Sequence, residues 1–311
     1  MIFFVIQQPG QSWTEQDFIN LTAVVGVPWS LEKLRPLASV QRYIGFDWHL
    51  VTRAVSIPLE KLERIQALIQ QWLTAGFKAS ARDAASLHGK LVHIAGIYYF
   101  LRPFLRSIAL FPNHFHSTRA HLYPPPLVLA DLRWILDLID IAPNSYPLLK
   151  TTPEDLGWWG DASTSFGIGI TVGGFWAVWK WASGVTVGPK QRFDIGWAEA
   201  VAVELALHAA LHLHLLPPGH FLVRSDNAGV VSVLSSGRSR SHETNTILKT
   251  IFVLLTKHRI RLRAVHVPSR FNVTDALSRG DIPGFLKGFP SAHTKCTPPL
   301  PFHLAGLLVP L

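Results

Sequence analysis

The chain has 311 residues, which is enough for about two domains of ordinary size, and its 48% hydrophobic content argues against wholesale disorder. Lys and Arg outnumber Asp and Glu by 29 to 20, and the formal charge of +9 favours a polyanionic partner such as nucleic acid. The single cysteine, Cys296, excludes an intramolecular disulfide and a cysteine-based zinc site, and it fits an intracellular protein of the nucleus or the cytoplasm.

The first half of the chain is predicted to be mostly helical between residues 57 and 140. It is preceded by a helix over residues 15–25 and a strand in the segment RYIGFDWHL. Apolar residues spaced as on one helix face predict a helix over residues 59–73. Ser80 is the expected N-cap of the next helix, with Asp83 in its first turn, and the apolar spacing continues to Leu101, before Pro103. A last helix is expected over residues 127–139, after three consecutive prolines.

The pattern changes after about residue 152. The segments LGWWGDAS, GIGITVGG and FWAVWKWAS are separated by glycine-rich joins, which predict antiparallel strands. A long helix, a buried strand, two helices, a strand and a short helix follow, in the order β-β-β-α-β-α-α-β-α. The uncharged stretch over residues 166–179 is broken by glycine and too short to span a membrane, so no membrane partner is expected. The proline-dotted tail from residue 282 is predicted to be poorly ordered.

Four acidic residues fall where strands end or helices begin in this second half. Asp161 ends the first predicted strand, Glu199 is expected in the first turn of the long helix, Asp226 ends the fourth strand, and Asp275 opens the last helix. Groups at such positions can converge on one edge of an α/β sheet. We therefore expect the four carboxylates to meet at one site.

A cluster of carboxylates needs compensation. At about 4 Å and an effective dielectric constant near 20, each pair of negative charges costs on the order of 4 kcal/mol. Oxygen ligands suit Mg²⁺ or Mn²⁺, and two such ions roughly 3.5–4 Å apart can activate a water and stabilise the leaving oxygen in phosphodiester cleavage. The pattern predicts a site for two divalent cations, Mg²⁺ with Mn²⁺ as the substitute.

The strings around these acids resemble the ribonuclease H domain of retroelement reverse transcriptases. The strings are GDASTSFGIGI, WAEAVAVELAL, VRSDNAGVV and HVPSRFNVTDALSRG, and the last is the most specific because such domains often end in NxxDALSR. The resemblance implies a ribonuclease H-like α/β fold, with a mixed five-stranded sheet and flanking helices, over residues 151–281. It also implies Asp161, Glu199, Asp226 and Asp275 as metal ligands and catalytic residues. His266 matches a loop histidine associated with product release or proton transfer.

The resemblance extends upstream and covers about residues 1–281. GVPWSLEKL, YIGFDWHL, SIPLEKLERIQALIQQWL and LHGKLVHIAG resemble the C-terminal part of a DIRS-type retroelement reverse transcriptase. It implies a small α+β palm remnant over residues 1–56, a mostly helical thumb and connection over 57–150, the ribonuclease H-like domain over 151–281, and the tail over 282–311. The Tyr-x-Asp-Asp-like motif that polymerisation needs does not occur in the sequence. No polymerase activity is expected from this chain, and whether a partner supplies the polymerase half stays open.

Several residues admit a second interpretation. Glu204 is the rival of Glu199, but a step of five residues advances about 500° on a helix, so the two do not share a face. His208, His212 and His214 could bind a metal, although a helix rim with no acid nearby is the preferred interpretation. The five tryptophans of the strands are expected to be core rather than base-stacking residues; they are Trp158, Trp159, Trp176, Trp179 and Trp181.

The implied activity is metal-dependent cleavage of the RNA strand of RNA–DNA hybrids, and the implied partner is the hybrid. Candidate nucleic-acid contacts are Arg238, Arg240, Arg270 and Asn227, and Arg259, Arg261 and Arg263 share one face of a strand. The alternative is a retroelement remnant that binds nucleic acid without cleaving it. A transposase or integrase fits less well, because those enzymes place the glutamate last and here it is second.

Overall fold

The structure is a computed structural model that describes residues 10, 12–33, 35–36, 38–148, 151–292 and 294–311. The chain divides into two compact units. One contains Met1–Arg64 and Pro143–Lys150, and the other contains Ile65–Ala142 and Thr151–Leu311. The division falls within helix α2 (Leu59–Leu73), whose bounds match the sequence prediction.

The smaller unit is built on a four-stranded antiparallel sheet. Helix α1 (Glu15–Ala23) begins at Thr14, which forms a capping box with Asp17. The sheet has the order β1-β2-β3-β4; its strands are β1 (Val40–Tyr43), β2 (Phe46–His49), β3 (Ala54–Ser56) and β4 (Ser145–Pro147). The predicted single strand RYIGFDWHL was wrong: it is a hairpin, because Ile44 and Gly45 both adopt positive φ and form its two-residue turn.

The first helices of the larger unit are α3 (Ala81–Ile94), α4 (Leu105–Leu110) and α5 (Pro126–Ile141). The predicted cap is confirmed, since Ser80 and Asp83 form a reciprocal capping box at the start of α3. The prediction that this helix continues to Leu101 was wrong, because the chain leaves the α-helix at Ile94 and tightens into a 3-10 turn over Tyr99–Phe104. That turn contains Pro103, whose ring cannot donate a backbone hydrogen bond.

The rest of the larger unit is organised around a mixed seven-stranded sheet. Its five long strands are β5 (Glu154–Ala162), β6 (Gly167–Val172), β7 (Phe175–Trp181), β8 (Gly219–Ser225) and β9 (Ile260–His266). They lie in the order β7-β6-β5-β8-β9; β5, β6 and β7 pair antiparallel, whereas β8 is parallel to both β5 and β9. The expected mixed α/β architecture is confirmed.

Five helices accompany this sheet. They are α6 (Ile195–His212), α7 (Ala228–Ser236), α8 (His242–Lys257), α9 (Asp275–Ser278) and α10 (Ile282–Gly288). Helix α6 is alanine-rich and almost wholly buried, because it packs on β5, β6 and α8 together. Helix α7 is followed by Gly237, which caps it in the left-handed conformation.

The tail after residue 281 differs from its prediction of poor order. Beyond α10 it adds β10 (Thr294–Lys295) and β11 (Leu308–Pro310), which both pair with the outer edge of β7 and bring the expected five strands to seven. The physical reason lies in β7: without the tail, its edge would present unpaired backbone groups beside apolar side chains. In the described part of the chain, no helix is both long and apolar enough to cross a membrane.

Candidate metal centre

Asp161 lies near the end of β5 with only 4% of its surface exposed. The preceding residue, Gly160, allows α6 to pack directly on the strand, since a Cβ atom added there would lie 3.1 Å from the Cβ of Ala202. This close approach is what brings the side of α6 that carries Glu199 to the strand end. A small residue in the sequence therefore positions a charged one.

Glu199 lies in α6, which begins at Ile195 after the N-cap Asp194. The expected first-turn position was wrong, because four helical residues precede Glu199 and place it in the second turn. The side chain is 5% exposed, and its Oε2 atom makes no hydrogen bond with any residue that the structure describes. A buried carboxylate oxygen without a partner is costly unless a proton or a cation compensates it.

Asp226 directly follows β8, and Asn227 caps the helix after it. Because β8 is the parallel neighbour of β5, the two strands end at the same edge of the sheet. One carboxylate oxygen each from Asp161, Glu199 and Asp226 lies within 4.8 Å of the other two. The three acids, far apart in the sequence, thus form the centre that we call the acidic triad.

Burial and mutual repulsion make the ionised form of the acidic triad unfavourable. Burial is the main cause that raises the pKa of Asp161 to about 7, and the charges of Asp226 and Asp275 add to it while the Ser278 hydrogen bond opposes it. Burial likewise raises the pKa of Glu199 to about 9, with further contributions from Asp161 and Asp226. The triad favours protons or cations over three bare negative charges.

Asp275, the fourth predicted ligand, is placed beside the triad rather than within it. It is the first residue of α9, as predicted, but its carboxylate is bound by the Arg279 guanidinium, with three N–O distances of 3.0 Å. Its charge still acts on Asp161, whose pKa it raises. The i,i+4 spacing of Asp275 and Arg279 in the sequence could have indicated this ion pair.

Two hydrogen-bond partners of Asp161 were missed by the sequence interpretation. The Asn272 Nδ2 donates to Asp161 Oδ1 at 2.8 Å, and the Ser278 hydroxyl contacts Asp161 Oδ2. Gly169 makes this possible: it pairs with Asp161 across the sheet, and a Cβ there would lie 2.3 Å from the Cβ of Leu277. The glycine lets α9 lie against β6, and α9 carries Ser278.

The other predicted site residues lie nearby or at the surface. His266 ends β9, is exposed, and has its Nε2 atom 3.0 Å from the backbone oxygen of Asp226. Asn227 uses its side-chain oxygen to cap α7, accepting from the backbone N–H groups of residues 229 and 230. Arg238 and Arg240 are exposed in the loop between α7 and α8, and Arg270 stacks over the Phe271 ring at 4.8 Å. Among these predicted residues, the His266 side chain therefore contacts the backbone of a triad member, Asp226.

The alternatives from the sequence have clear outcomes. Glu204 does not join the triad; it is fully buried elsewhere, with its Oε1 atom 3.1 Å from His303 Nε2 and 3.7 Å from His208 Nε2. The expectation that no acid adjoins His208 was therefore wrong, because Glu204 lies one helical turn before it. Trp158, Trp176, Trp179 and Trp181 are buried core residues, as predicted. The half-buried Trp159 instead stacks with Arg224 at 4.9 Å.

No protein-family model matches the chain, and no curated protein sequence matches it either. A functional site is therefore indicated by the acidic triad, formed where the parallel strands β5 and β8 end beside α6, together with the buried Glu199 Oε2 atom that has no hydrogen bond with any described residue.

Proposed function

We propose that residues 151–281 form a ribonuclease H-like domain that cleaves the RNA strand of RNA–DNA hybrids with the help of divalent cations. The observation that carries this proposal is the acidic triad, with one oxygen of each acid within 4.8 Å of the others. The proposal is supported by the order of the three acids along the chain and by their places: Asp161 lies on a strand, Glu199 on a helix, and Asp226 directly after the neighbouring parallel strand.

The residues fit a pair of divalent cations. The acidic triad offers carboxylate oxygens, which are the hard ligand type that Mg²⁺ and Mn²⁺ prefer. The unpaired Oε2 atom of Glu199 leaves a buried acceptor for a ligand bond. Asp161, Glu199 and Asp226 would hold the ions, and Asp275 would join them on leaving Arg279. When bound, the ions would activate a water and stabilise the leaving oxygen of the scissile phosphodiester, giving a 3′-hydroxyl and a 5′-phosphate.

In the proposed mechanism, side chains around the triad orient its carboxylates, transfer protons and contact the substrate. Asp161 is fixed by Asn272 and Ser278, so its carboxylate is oriented before any ligand arrives. His266, exposed beside Asp226, is proposed to assist product release or proton transfer. Exposed Arg238, Arg240 and Arg270 are proposed to contact phosphates. Discrimination of hybrid from other duplexes would come from helix shape and 2′-hydroxyl contacts.

The wider assignment follows from the same resemblance. The chain is proposed to derive from the C-terminal part of a DIRS-type retroelement reverse transcriptase, with residues 1–56 as a palm remnant and 57–150 as thumb and connection. Because the sequence has no Tyr-x-Asp-Asp-like motif, nucleotide polymerisation is not part of the proposed activity. A partner that supplies the polymerase half fits this assignment, and so does an intracellular location.

A second candidate function is hybrid binding without cleavage. The observation that favours it is the ion pair of Asp275 with Arg279, which occupies the fourth acid of the pattern. Under this alternative the acidic triad has no catalytic role, and exposed residues such as Arg238, Arg240 and Arg270 hold nucleic acid. The two candidates differ in one measurable property, Mg²⁺-dependent cleavage.

Substitution of Asp226 separates the candidates. Asp226→Asn removes one negative ligand while keeping the size of the side chain, so cleavage of a labelled RNA–DNA hybrid in Mg²⁺ should fall on the order of 10³-fold. Asp137→Asn, an exposed acid on α5, is the charge-matched control and should cleave like the unchanged protein. Equal cleavage by Asp226→Asn and the unchanged protein would refute the catalytic role. Absence of cleavage by the unchanged protein, with hybrid binding retained, would favour the binding module.

A further inference from the structure

Both carboxylate oxygens of Asp161 accept a hydrogen bond from a neighbouring side chain. Asn272 Nδ2 donates to Oδ1 at 2.8 Å, and the Ser278 hydroxyl contacts Oδ2. All three side chains are buried, with 4% of Asp161, 7% of Asn272 and none of Ser278 exposed. Water cannot readily replace these partners, so the orientation of Asp161 depends on them.

The orientation of Asn272 is itself fixed. Its Oδ1 atom accepts two hydrogen bonds from Thr274, one from the backbone N–H at 3.2 Å and one from the hydroxyl at 2.8 Å. An asparagine side chain carries its acceptor on one branch and its donors on the other. Because Thr274 binds the acceptor branch, the donor branch must face Asp161. Thr274 is fully buried, which excludes solvent from this contact too.

This chain of contacts has a consequence for the acidic triad. Each carboxylate oxygen has two lone-pair directions, and one donor to each oxygen leaves the other direction available for a ligand. When the carboxyls are ionised, as cation binding requires, repulsion from oxygens within 4.8 Å would turn a loosely held Asp161 side chain away from the cluster. The two donors oppose that rotation and keep the carboxylate in place without a cation.

We propose that Asn272 is a positioning residue for the divalent-cation site: through Thr274 and Asp161 it holds the acidic triad in its cation-binding arrangement. This inference rests on the cation-binding part of the proposed function and acts through Asp161, with no contact between Asn272 and substrate required. It also links the segment before α9 to the end of β5, although 111 residues separate the two side chains in sequence.

The test is a direct measurement of Mn²⁺ affinity by titration calorimetry on the full chain, together with thermal unfolding and the Mg²⁺ dependence of hybrid cleavage. Asn272→Ala should weaken Mn²⁺ binding about 10-fold or more, as loss of a group that orients a ligand usually does. It should raise the Mg²⁺ concentration needed for half-maximal cleavage by a similar factor. Thr274→Val, which removes only one of the two bonds that orient Asn272, should give a smaller change in the same direction.

Asn245 provides the matched control. It is 3% exposed, donates from Nδ2 to the backbone oxygen of Pro103 at 2.7 Å and accepts from the Ser239 N–H at 3.2 Å. Asn245→Ala therefore removes a buried asparagine with similar bonds away from the triad. It should lower thermal stability as Asn272→Ala does, with Mn²⁺ affinity unchanged.

The outcomes separate the inference from the function. If Asn272→Ala and Thr274→Val bind Mn²⁺ as tightly as the unchanged protein, the positioning role is wrong even where cleavage stands. If the unchanged protein binds Mn²⁺ and loses affinity on substitution but does not cleave hybrid, the inference holds and the catalytic proposal fails. If the unchanged protein binds no Mn²⁺, both are overturned. If Asn272→Ala does not fold, Thr274→Val decides the question.

Discussion

At the level of single residues, two carboxyl groups with strongly raised pKa values lie together in the acidic triad. The pKa of Asp161 is raised to about 7 and that of Glu199 to about 9, in both cases chiefly by burial. Either carboxyl must lose its proton before it can bind a cation. Protonation and cation binding therefore compete at the triad.

This competition predicts a pH dependence with a definite sign. Divalent-cation affinity should rise with pH until it levels near the raised pKa of Glu199, at about 9, with a slope approaching 10-fold per pH unit for each proton displaced. Titration calorimetry in two buffers of different ionisation enthalpy should detect release of protons on Mn²⁺ binding at about pH 7. A cation affinity that stays constant from about pH 6 to 9 would mean that cations and protons do not compete at the acidic triad. Glu199→Gln should bind more weakly and lose the rise above about pH 8.

The sequence predicted this site in part, and the reasons are specific. Asp161 and Asp226 could be found because each lies at the end of a strand with a recognisable sequence pattern. Glu199 was assigned to the correct helix, although its expected first-turn position was wrong. The partners of Asp161 could not be found, because Asn272 and Ser278 lie 111 and 117 residues away and reach it only when α9 packs on Gly169. Asp275 was found as a residue, but its ion pair with Arg279 was overlooked.

At the scale of elements, the tail is the clearest departure from expectation. Strands β10 and β11 complete the outer edge of β7, and backbone bonds such as that from the Cys296 N–H to the Trp176 oxygen, at 2.9 Å, fasten them. His303, between the two strands, binds Glu204 of α6. That hydrogen bond is the main cause of the raised pKa of His303, and burial opposes it.

The raised pKa of His303 predicts that this contact weakens as pH rises. A folded-state pKa above the ordinary value of 6.5 means that the contribution is fully present below 6.5 and is lost as pH rises through the folded value. His303→Gln should therefore lower the free energy of unfolding by about 1 kcal/mol or less at about pH 5.5, since the side chain is partly exposed and screened. By about pH 9 the difference should shrink.

Chemical denaturation at several pH values measures this difference. His116→Gln, in an exposed loop, is the control and should leave the pH profile unchanged. A His303→Gln deficit that does not vary with pH would mean that packing, rather than the imidazolium charge, gives His303 its role.

Elements with local causes were predicted best. Helix α2 follows from its apolar periodicity and α3 begins at a capping box, both of which lie within a few residues of sequence. The hairpin of β1 and β2 was missed because its turn is Ile44-Gly45, and an isoleucine at positive φ is uncommon. The tail strands were missed because their partner, β7, lies more than 100 residues earlier in the chain. Edge pairing of that kind leaves no periodic pattern in so short a segment.

At the scale of the whole molecule, the sign of the charge agrees with the proposed partner. The net charge of +9 gives the chain a general attraction to polyanions, whereas the acidic triad supplies a local site of opposite sign. If the proposed partner is correct, this long-range attraction would bring nucleic acid to the protein and would weaken with salt. The proposed cleavage would depend on the local acidic site rather than on the net charge.

Whether the acidic triad binds two divalent cations can be tested by diffraction from crystals of the full chain soaked in Mn²⁺, with anomalous differences recorded. We expect two anomalous peaks about 3.5–4 Å apart at the carboxylate oxygens of Asp161, Glu199 and Asp226. Crystals of Asp226→Asn should lose at least one of them. Crystals saturated with Mn²⁺ that show no anomalous density among these three carboxylates would mean that the acidic triad is not a cation site.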